Sequence, residues 1–307
     1  MRIVFLTLLI SVIFLNKTEI SKMCDKSSIP QNNSPLFSFG LITDVQYADC
    51  ESAGTRYYRN SPGKLKSSID TFKKNRVSFI VNLGDLIDRD FKSFKPVMDI
   101  LYSSGLKTYH CTGNHDYNVE NYYKDKLPVA GLSESGYYSF SLNGYRLVFL
   151  NGNEISTYAS PDQNIIQESE DFIRKLKEEG SVNAIDWNGG IGKEQLTWLD
   201  NQLDEASAAR QHVLIFCHFP LAPEDIHNLL NYREVLSHIE NNSTVIAWIN
   251  GHNHAGNYAM VNGIYYLTFK GMVETETVNS FSILEVYRDK ILVRGFGNEK
   301  DQILYIK

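Results

Sequence analysis

Five short apolar runs in this chain each stop at Asp, Asn, Gln or His, and this repetition limits what the chain can fold into. "LFSFGLIT" (36–43) leads into Asp44-Val45-Gln46, and "VSFIVNL" (77–83) into Gly84-Asp85-Leu86-Ile87-Asp88-Arg89. "LKTYHC" (106–111) precedes Gly113-Asn114-His115-Asp116, "HVLIFC" (212–217) precedes His218-Phe219-Pro220, and "TVIAWIN" (244–250) precedes Gly251-His252-Asn253-His254. Runs this short and this continuously apolar belong to strands covered on both faces. Ligands bind at the C-terminal edge of such strands, because the loops there converge and vary without disturbing the core. The pattern predicts an α/β domain with one polar site gathered at strand ends.

The rest of the chain supplies helices and hairpins. In "KEQLTWLDNQLDEA" residues Leu196, Leu199 and Leu203 share one helical face, with Gly192 near the start. Asn143-Gly144 and Asn262-Gly263 are hairpin turns, and a third turn falls at Arg288-Asp289. Residues 151–190 are the least periodic and read as an insertion with one helix around "ESEDFIRKLKEEG"; the glycines of "WNGGIG" would let it close as a lid. Trp198 and Trp248 read as core. At 307 residues and 43% hydrophobic, the chain can bury a full core. We expect residues 36–307 to form a single domain, a four-layer α/β/β/α sandwich of two mixed sheets with helices outside.

A net charge of −6 argues against a nucleic-acid polymer as partner. A small anion is not excluded, since bound cations reverse the field inside one cleft. Residues 1–35 read as a signal peptide or N-terminal anchor followed by a linker: Arg2 precedes an apolar run from Ile3 to Leu15, shorter than a spanning helix. Export to the periplasm or the exterior is expected, and a cytoplasmic protein if that run is not a signal. Cys24, Cys50, Cys111 and Cys217 have no paired spacing, so no disulfide framework is expected.

The residue types at the strand ends share a chemistry. Hard oxygens and imidazole nitrogens suit Mn, Fe, Zn or Mg, not copper or an iron-sulfur cluster. Seven such side chains are too many for one ion and suit two ions sharing a carboxylate, an arrangement that clamps both oxygens of a displacement at phosphorus.

The ordered set D-x-Q, GDLID, GNHD, HFP and GHNH resembles the calcineurin-like metallophosphoesterases. More specifically, "FSFGLITDVQYAD", "RYYRNS", "WNGGIGKEQLTWL", "LNYREVL" and "KGMVETETVNSFSILEVY" resemble the manganese-dependent ADP-ribose/CDP-alcohol diphosphatases, over about residues 36–300. The resemblance implies Asp44, Gln46, Asp85 and His254 around one divalent ion and Asp85, Asn114, His218 and His252 around the other. It implies that His115 serves the leaving oxygen and that Asp88 orients His115. Most of the superfamily has histidine where this branch has Gln46. A neutral amide oxygen there points to Mn²⁺, with Mg²⁺, Fe²⁺ or Zn²⁺ as alternatives.

Asp116 reads as structural. In "GTRYYRNSP", Arg56 and Arg59 suit the second phosphate of a diphosphate and a base can stack on Tyr57 or Tyr58. Arg89 departs from the diphosphatase pattern and resembles the Asp-Arg of phosphomonoesterase branches. The expected activity is hydrolysis of the phosphoanhydride of small nucleotide derivatives by a monomeric enzyme: ADP-ribose to AMP and ribose 5-phosphate, CDP-alcohols to CMP and a phospho-alcohol. A broader phosphodiesterase or phosphomonoesterase is the alternative, and a catalytically silent metal-binding protein a further one. Purple acid phosphatases have a tyrosine where Asp88 stands.

Overall fold

The computed structural model describes residues 34–128 and 135–306. The apolar run at residues 3–15 and Cys24 lie outside them. Six strands form the first sheet: β1 (Phe37–Ile42), β2 (Phe79–Asn82), β3 (Thr108–His110), β10 (Ser280–Val286), β11 (Lys290–Gly297) and β12 (Gln302–Tyr305), in the order β12-β11-β10-β1-β2-β3. The second contains β4 (Tyr138–Leu142), β5 (Tyr145–Phe149), β6 (His212–Phe216), β7 (Val245–Asn250), β8 (Asn257–Val261) and β9 (Ile264–Thr268), in the order β4-β5-β6-β7-β9-β8. Both sheets are mixed: β1, β2 and β3 are parallel, as are β5, β6, β7 and β9, whereas β10, β11 and β12 in the first sheet and β4 and β8 in the second pair antiparallel with their neighbours.

Strand alternation explains the layers. Phe37, Phe39 and Leu41 face the other sheet and pack with Phe149, Leu214, Phe216 and Ile249. The opposite face of β1 carries Gly40 and Ile42 toward α1 (Ser61–Lys74) and α2 (Phe94–Ser103), whose Leu65, Ile69, Phe72, Val97 and Leu101 cover the first sheet. A Cβ on Gly40 would lie 2.6 Å from the Phe72 ring, so that helix sits close to the strand. On the second sheet, Leu196, Leu199 and Leu203 of α4 (Lys193–Ala208) and Val235 and Ile239 of α5 (Tyr232–Ile239) cover Val148, Val213, Ile215 and Trp248. The result is the four-layer α/β/β/α sandwich expected from the pattern.

Both Asn-Gly hairpins form, with Asn143 at φ 49° and Asn262 at φ 52°, the left-handed first position that matches strand twist. The third strand is shorter than the apolar run suggests, because among the described residues it lies at the sheet edge and pairs with β2 alone, which is four residues long. In the 151–190 segment α3 (Gln163–Glu178) begins earlier than expected, since the Asp162 carboxylate accepts the Asn164 N–H at 2.8 Å and caps it. Trp248 is fully buried, and Trp198 packs 4.9 Å from the Tyr137 ring. Cys50, Cys111 and Cys217 are free thiols. Among the described residues no helix is long and apolar enough to cross a membrane.

Candidate dimetal site

The ends of β1, β2 and β3 in one sheet meet those of β6 and β7 in the other. Asp44 N donates to Gly84 O at 3.1 Å and Gln46 N to Asp85 O at 2.9 Å, joining the first two loops. Gly251 N donates to His218 O at 3.0 Å, and His252 N reaches Asp44 Oδ2 at 3.2 Å, which ties the two sheets together. Four of these loop residues have left-handed backbone: Asp44 (φ 50°), Gln46 (44°), Asp85 (55°) and His252 (67°). For side-chain-bearing residues this costs on the order of 1 kcal/mol each and persists only where the surroundings over-determine it. Asp116 supplies part of that determination. Its buried carboxylate accepts N–H bonds from Asp85 (2.9 Å), Leu86 (2.8 Å) and Gly113 (3.0 Å), the scaffold role its sequence position suggests. Gly113 lies so close to Asp85 that a Cβ would stand 2.1 Å from Asp85 Oδ1.

All seven side chains expected to bind metal come together, and six are buried, with His254 nearly so. Ligand atoms of Asp85, His218 and His252 lie within 4.8 Å of one another. His218 Nε2 is 3.3 Å from Asp85 Oδ2, and His254 Nε2 is 3.2 Å from Asp44 Oδ1. The Gln46 amide nitrogen lies 3.1 Å from Asp85 Oδ2 and 3.2 Å from His254 Nε2.

Each imidazole is oriented by a partner behind it. His218 Nδ1 donates to Leu83 O at 3.0 Å, and His254 Nδ1 donates to Glu274 Oε1 at 2.7 Å; both leave Nε2 facing the cluster. His252 is reversed. Asn188 spends its amide hydrogens on Asn183 O (2.9 Å) and Ile226 O (2.7 Å), so its Oδ1 must accept from His252 Nε2 at 2.9 Å, and the lone pair falls on Nδ1. Burial opposes charge on His218 and His254, yet Asp85 beside the first and Asp44 beside the second push both up to about 9. The field around these carboxylates therefore favours cations.

His115 stands beside this cluster. Its backbone N–H donates to Asp85 Oδ1 at 2.8 Å, and its Nδ1 lies 3.1 Å from Asp88 Oδ1, leaving Nε2 as the outward nitrogen. Burial lowers the affinity of the ring for a proton, but the Asp85 and Asp88 carboxylates outweigh it and raise the His115 pKa.

A cavity of about 530 Å³ opens over the cluster. Its floor includes Gln46, Asp85, Asn114 and His115, and its rim carries Arg56, Tyr158, Trp187 and Ile226. Of the side chains expected to bind substrate, Arg56 lines the cavity. Tyr57, Arg59 and Arg89 do not. Arg59 is held on the surface by Asp49 at 2.7 Å and by Glu51, eight to ten residues earlier in the chain. Arg89 is spent on Asp88 at 2.7 Å and on the face of the Tyr58 ring, 5.6 Å from its centroid; Tyr58 itself is buried. Glu274, Asn188 and Trp187 are the residues that sequence reasoning passes over. Glu274 follows β9, so the strand-end logic reaches it one strand further; Trp187 and Asn188 open the WNGGIG stretch that carries the resemblance, but nothing in that stretch assigns them a role.

Four buried atoms of this cluster make no hydrogen bond of good geometry: Gln46 Oε1 and Asn114 Oδ1, and also Asp44 Oδ1 and His218 Nε2, which have only the ion-pair neighbours given above. Each such atom costs about 1–3 kcal/mol when left unmet. Gathered round Asp85, they are the donor set a pair of divalent ions requires, and a half-turn of the Gln46 amide exchanges its nitrogen for an oxygen at the same place. The residues present fit a dimetal centre.

Two mixed sheets face to face, with Asp, Asn and His delivered from five strand ends, define a metallophosphoesterase, and the chain belongs to the calcineurin-like phosphoesterase family, whose profile matches residues 37–256. Within that family it is similar to the manganese-dependent ADP-ribose/CDP-alcohol diphosphatase of Oryza sativa subsp. japonica, at 32% identity over 88% of this chain and 94% of that protein. The protein of the same name from Arabidopsis thaliana is 30% identical over 85% of this chain and 94% of its own length. Among solved structures, a dimetal phosphatase from Danio rerio superposes with a TM-score of 0.81 at 26% identity, covering 89% of this chain and all of that one.

Proposed function

We propose that the protein is a Mn²⁺-dependent hydrolase of the phosphoanhydride in small nucleoside diphosphate derivatives, ADP-ribose and CDP-alcohols. The observation that carries this reading is the set of buried metal-type donor atoms around Asp85 that no hydrogen bond satisfies; the names of the similar plant proteins supply the substrate class. Asp44, Gln46, Asp85 and His254 would hold one ion, and Asp85, Asn114, His218 and His252 the other. Gln46, a neutral oxygen donor, favours Mn²⁺ or Mg²⁺ over Zn²⁺. Bound as a pair, the ions acidify water and neutralise charge on the phosphoryl oxygens.

The chain's own groups do the rest. Arg56, on the cavity rim, binds the second phosphate. As a water that has given up one proton to solvent adds to phosphorus and the bridging P–O bond breaks, His115 Nε2 gives its proton to the leaving phosphate oxygen and regains one from solvent. Asp88 keeps the His115 ring in the tautomer and direction that allow this. Arg89, which in sequence resembles a phosphomonoesterase feature, is bound to Asp88 and absent from the cavity wall, so it does not favour the broader reading.

The test uses metal-stripped protein supplied singly with Mn²⁺, Mg²⁺ or Zn²⁺ and offered ADP-ribose, CDP-choline, a cyclic nucleotide and p-nitrophenyl phosphate. AMP and CMP formed fastest with Mn²⁺ are expected. Faster turnover of p-nitrophenyl phosphate or the cyclic nucleotide would overturn the substrate assignment and leave the dimetal centre standing. On the apolar run at residues 3–15 we also propose export, which an intact Met1 on native soluble cytosolic protein would refute.

A further inference from the structure

Trp187 is the exception among the three tryptophans. Trp248 is buried, with Nε1 donating to Phe219 O at 3.0 Å, and Trp198 packs on Tyr137. Trp187 is 43% exposed at the cavity rim, and among the described residues no ring stacks on it. A large aromatic face left in water beside a polar site has lost the burial that normally justifies it. Exposed Ile226, also on the rim, adds to this apolar wall.

The segment carrying Trp187 is held in place. The next residue, Asn188, is buried and bonded to Asn183 O, Ile226 O and His252 Nε2 at once. After it, Gly189 runs so close to the neighbouring loop that a Cβ would lie 2.1 Å from Gly152 O. The backbone that carries the indole is therefore anchored to His252 on the cavity floor through a single side chain, that of Asn188.

We infer that Trp187 is the platform on which the nucleobase stacks, and that the anchoring of its backbone to His252 sets the distance between base and scissile phosphate. This rests on the diphosphatase reading and refines it. Beyond the diphosphate, ADP-ribose and CDP-alcohols share only a nucleoside half, and an indole accepts adenine or cytosine alike, because every base presents a π-face. The platform is thus on the side of the cavity formed by the 151–190 segment. It is not Tyr57, which is off the cavity wall, nor Tyr58, which is buried under Arg89.

Two measurements on the Mn²⁺-loaded protein test this. In the first, tryptophan emission is followed while AMP, CMP, ribose 5-phosphate or phosphocholine is added. AMP and CMP are expected to quench the wild type and not Trp187→Phe, which retains a stacking ring without the indole emission. Quenching by phosphocholine or ribose 5-phosphate instead, or AMP quenching that persists in Trp187→Phe, would overturn the assignment. In the second, kcat/KM for ADP-ribose is divided by that for a base-free analogue, two ribose 5-phosphates joined as an anhydride. Trp187→Ala should lower this ratio roughly tenfold or more, and Trp187→Phe should restore most of it. A Trp187→Ala ratio within about twofold of wild type would refute a base platform. Failure of the diphosphatase reading would show separately, as a wild type that cleaves neither ADP-ribose nor CDP-choline.

Discussion

The floor of the cavity is made of buried carboxylates, amides and imidazoles at strand ends, on backbone that is left-handed at four positions. The rim, within reach of the same substrate, is made of exposed Trp187 and Ile226 with Arg56, on loops held by side-chain bonds to carbonyls. Strand ends fix atoms closely because two sheets meet there and Asp116 clamps four N–H groups of the connecting loops. Loops vary more readily, which suits the part of a site that selects among substrates. A change in the floor should weaken every reaction equally, and a change in the rim should alter the ranking of substrates.

The largest effect expected is from Asp85→Ala, which removes the carboxylate that His218 and Gln46 both face. Hydrolysis of ADP-ribose, CDP-choline and p-nitrophenyl phosphate should all fall below detection, and metal analysis should show less than the wild-type content. A variant that lost only one of these activities would break the distinction between floor and rim.

His115→Ala should lower kcat about 10²- to 10⁴-fold while metal content is unchanged. The contrast with Asp85→Ala sharpens the account of the floor by separating proton transfer from metal binding. Loss of metal in His115→Ala would reassign His115 as a ligand.

Glu274→Ala should act more mildly. Without the carboxylate at 2.7 Å, His254 keeps its place but loses the partner that fixes its tautomer. Mn²⁺ affinity should fall about 10–100-fold, measured by titrating metal into stripped protein, with activity largely recovered at saturating Mn²⁺. Glu274→Gln keeps an acceptor and should lie between Ala and wild type.

The same division explains what the sequence discloses. Asp44, Asp85, Asn114, His218 and His252 are legible because each directly follows an apolar run, so strand and ligand are read together. The sandwich is legible because short apolar strands alternate with amphipathic helices such as the one bearing Leu196, Leu199 and Leu203. Arg59 misleads because a basic residue near the first loop suggests phosphate, while its partners Asp49 and Glu51 claim it first. Arg89 misleads for the same reason, through Asp88. Trp187 and Asn188 lie in the aperiodic 151–190 segment, and their role depends on which histidine and which carbonyls the fold brings to them. No spacing along the chain encodes that.

Asn188 is where floor and rim join, so the smallest predicted effect is also the most informative. Its side chain accepts from His252 and donates to the carbonyl of Ile226, bridging a candidate metal ligand and the apolar wall. Asn188→Ala leaves the His252 Nε2–H and the carbonyls of Asn183 and Ile226 without this partner. Mn²⁺ affinity should drop about tenfold, at the lower end of the range for outer partners of ligands. At saturating Mn²⁺ the KM for ADP-ribose should still stand several-fold above wild type, because the backbone that carries Trp187 has lost this anchor. An affinity loss with unaltered KM would mean that the rim holds its shape without the floor. A raised KM with unaltered affinity would mean that Leu83 and Glu274, behind His218 and His254, orient the cluster well enough alone.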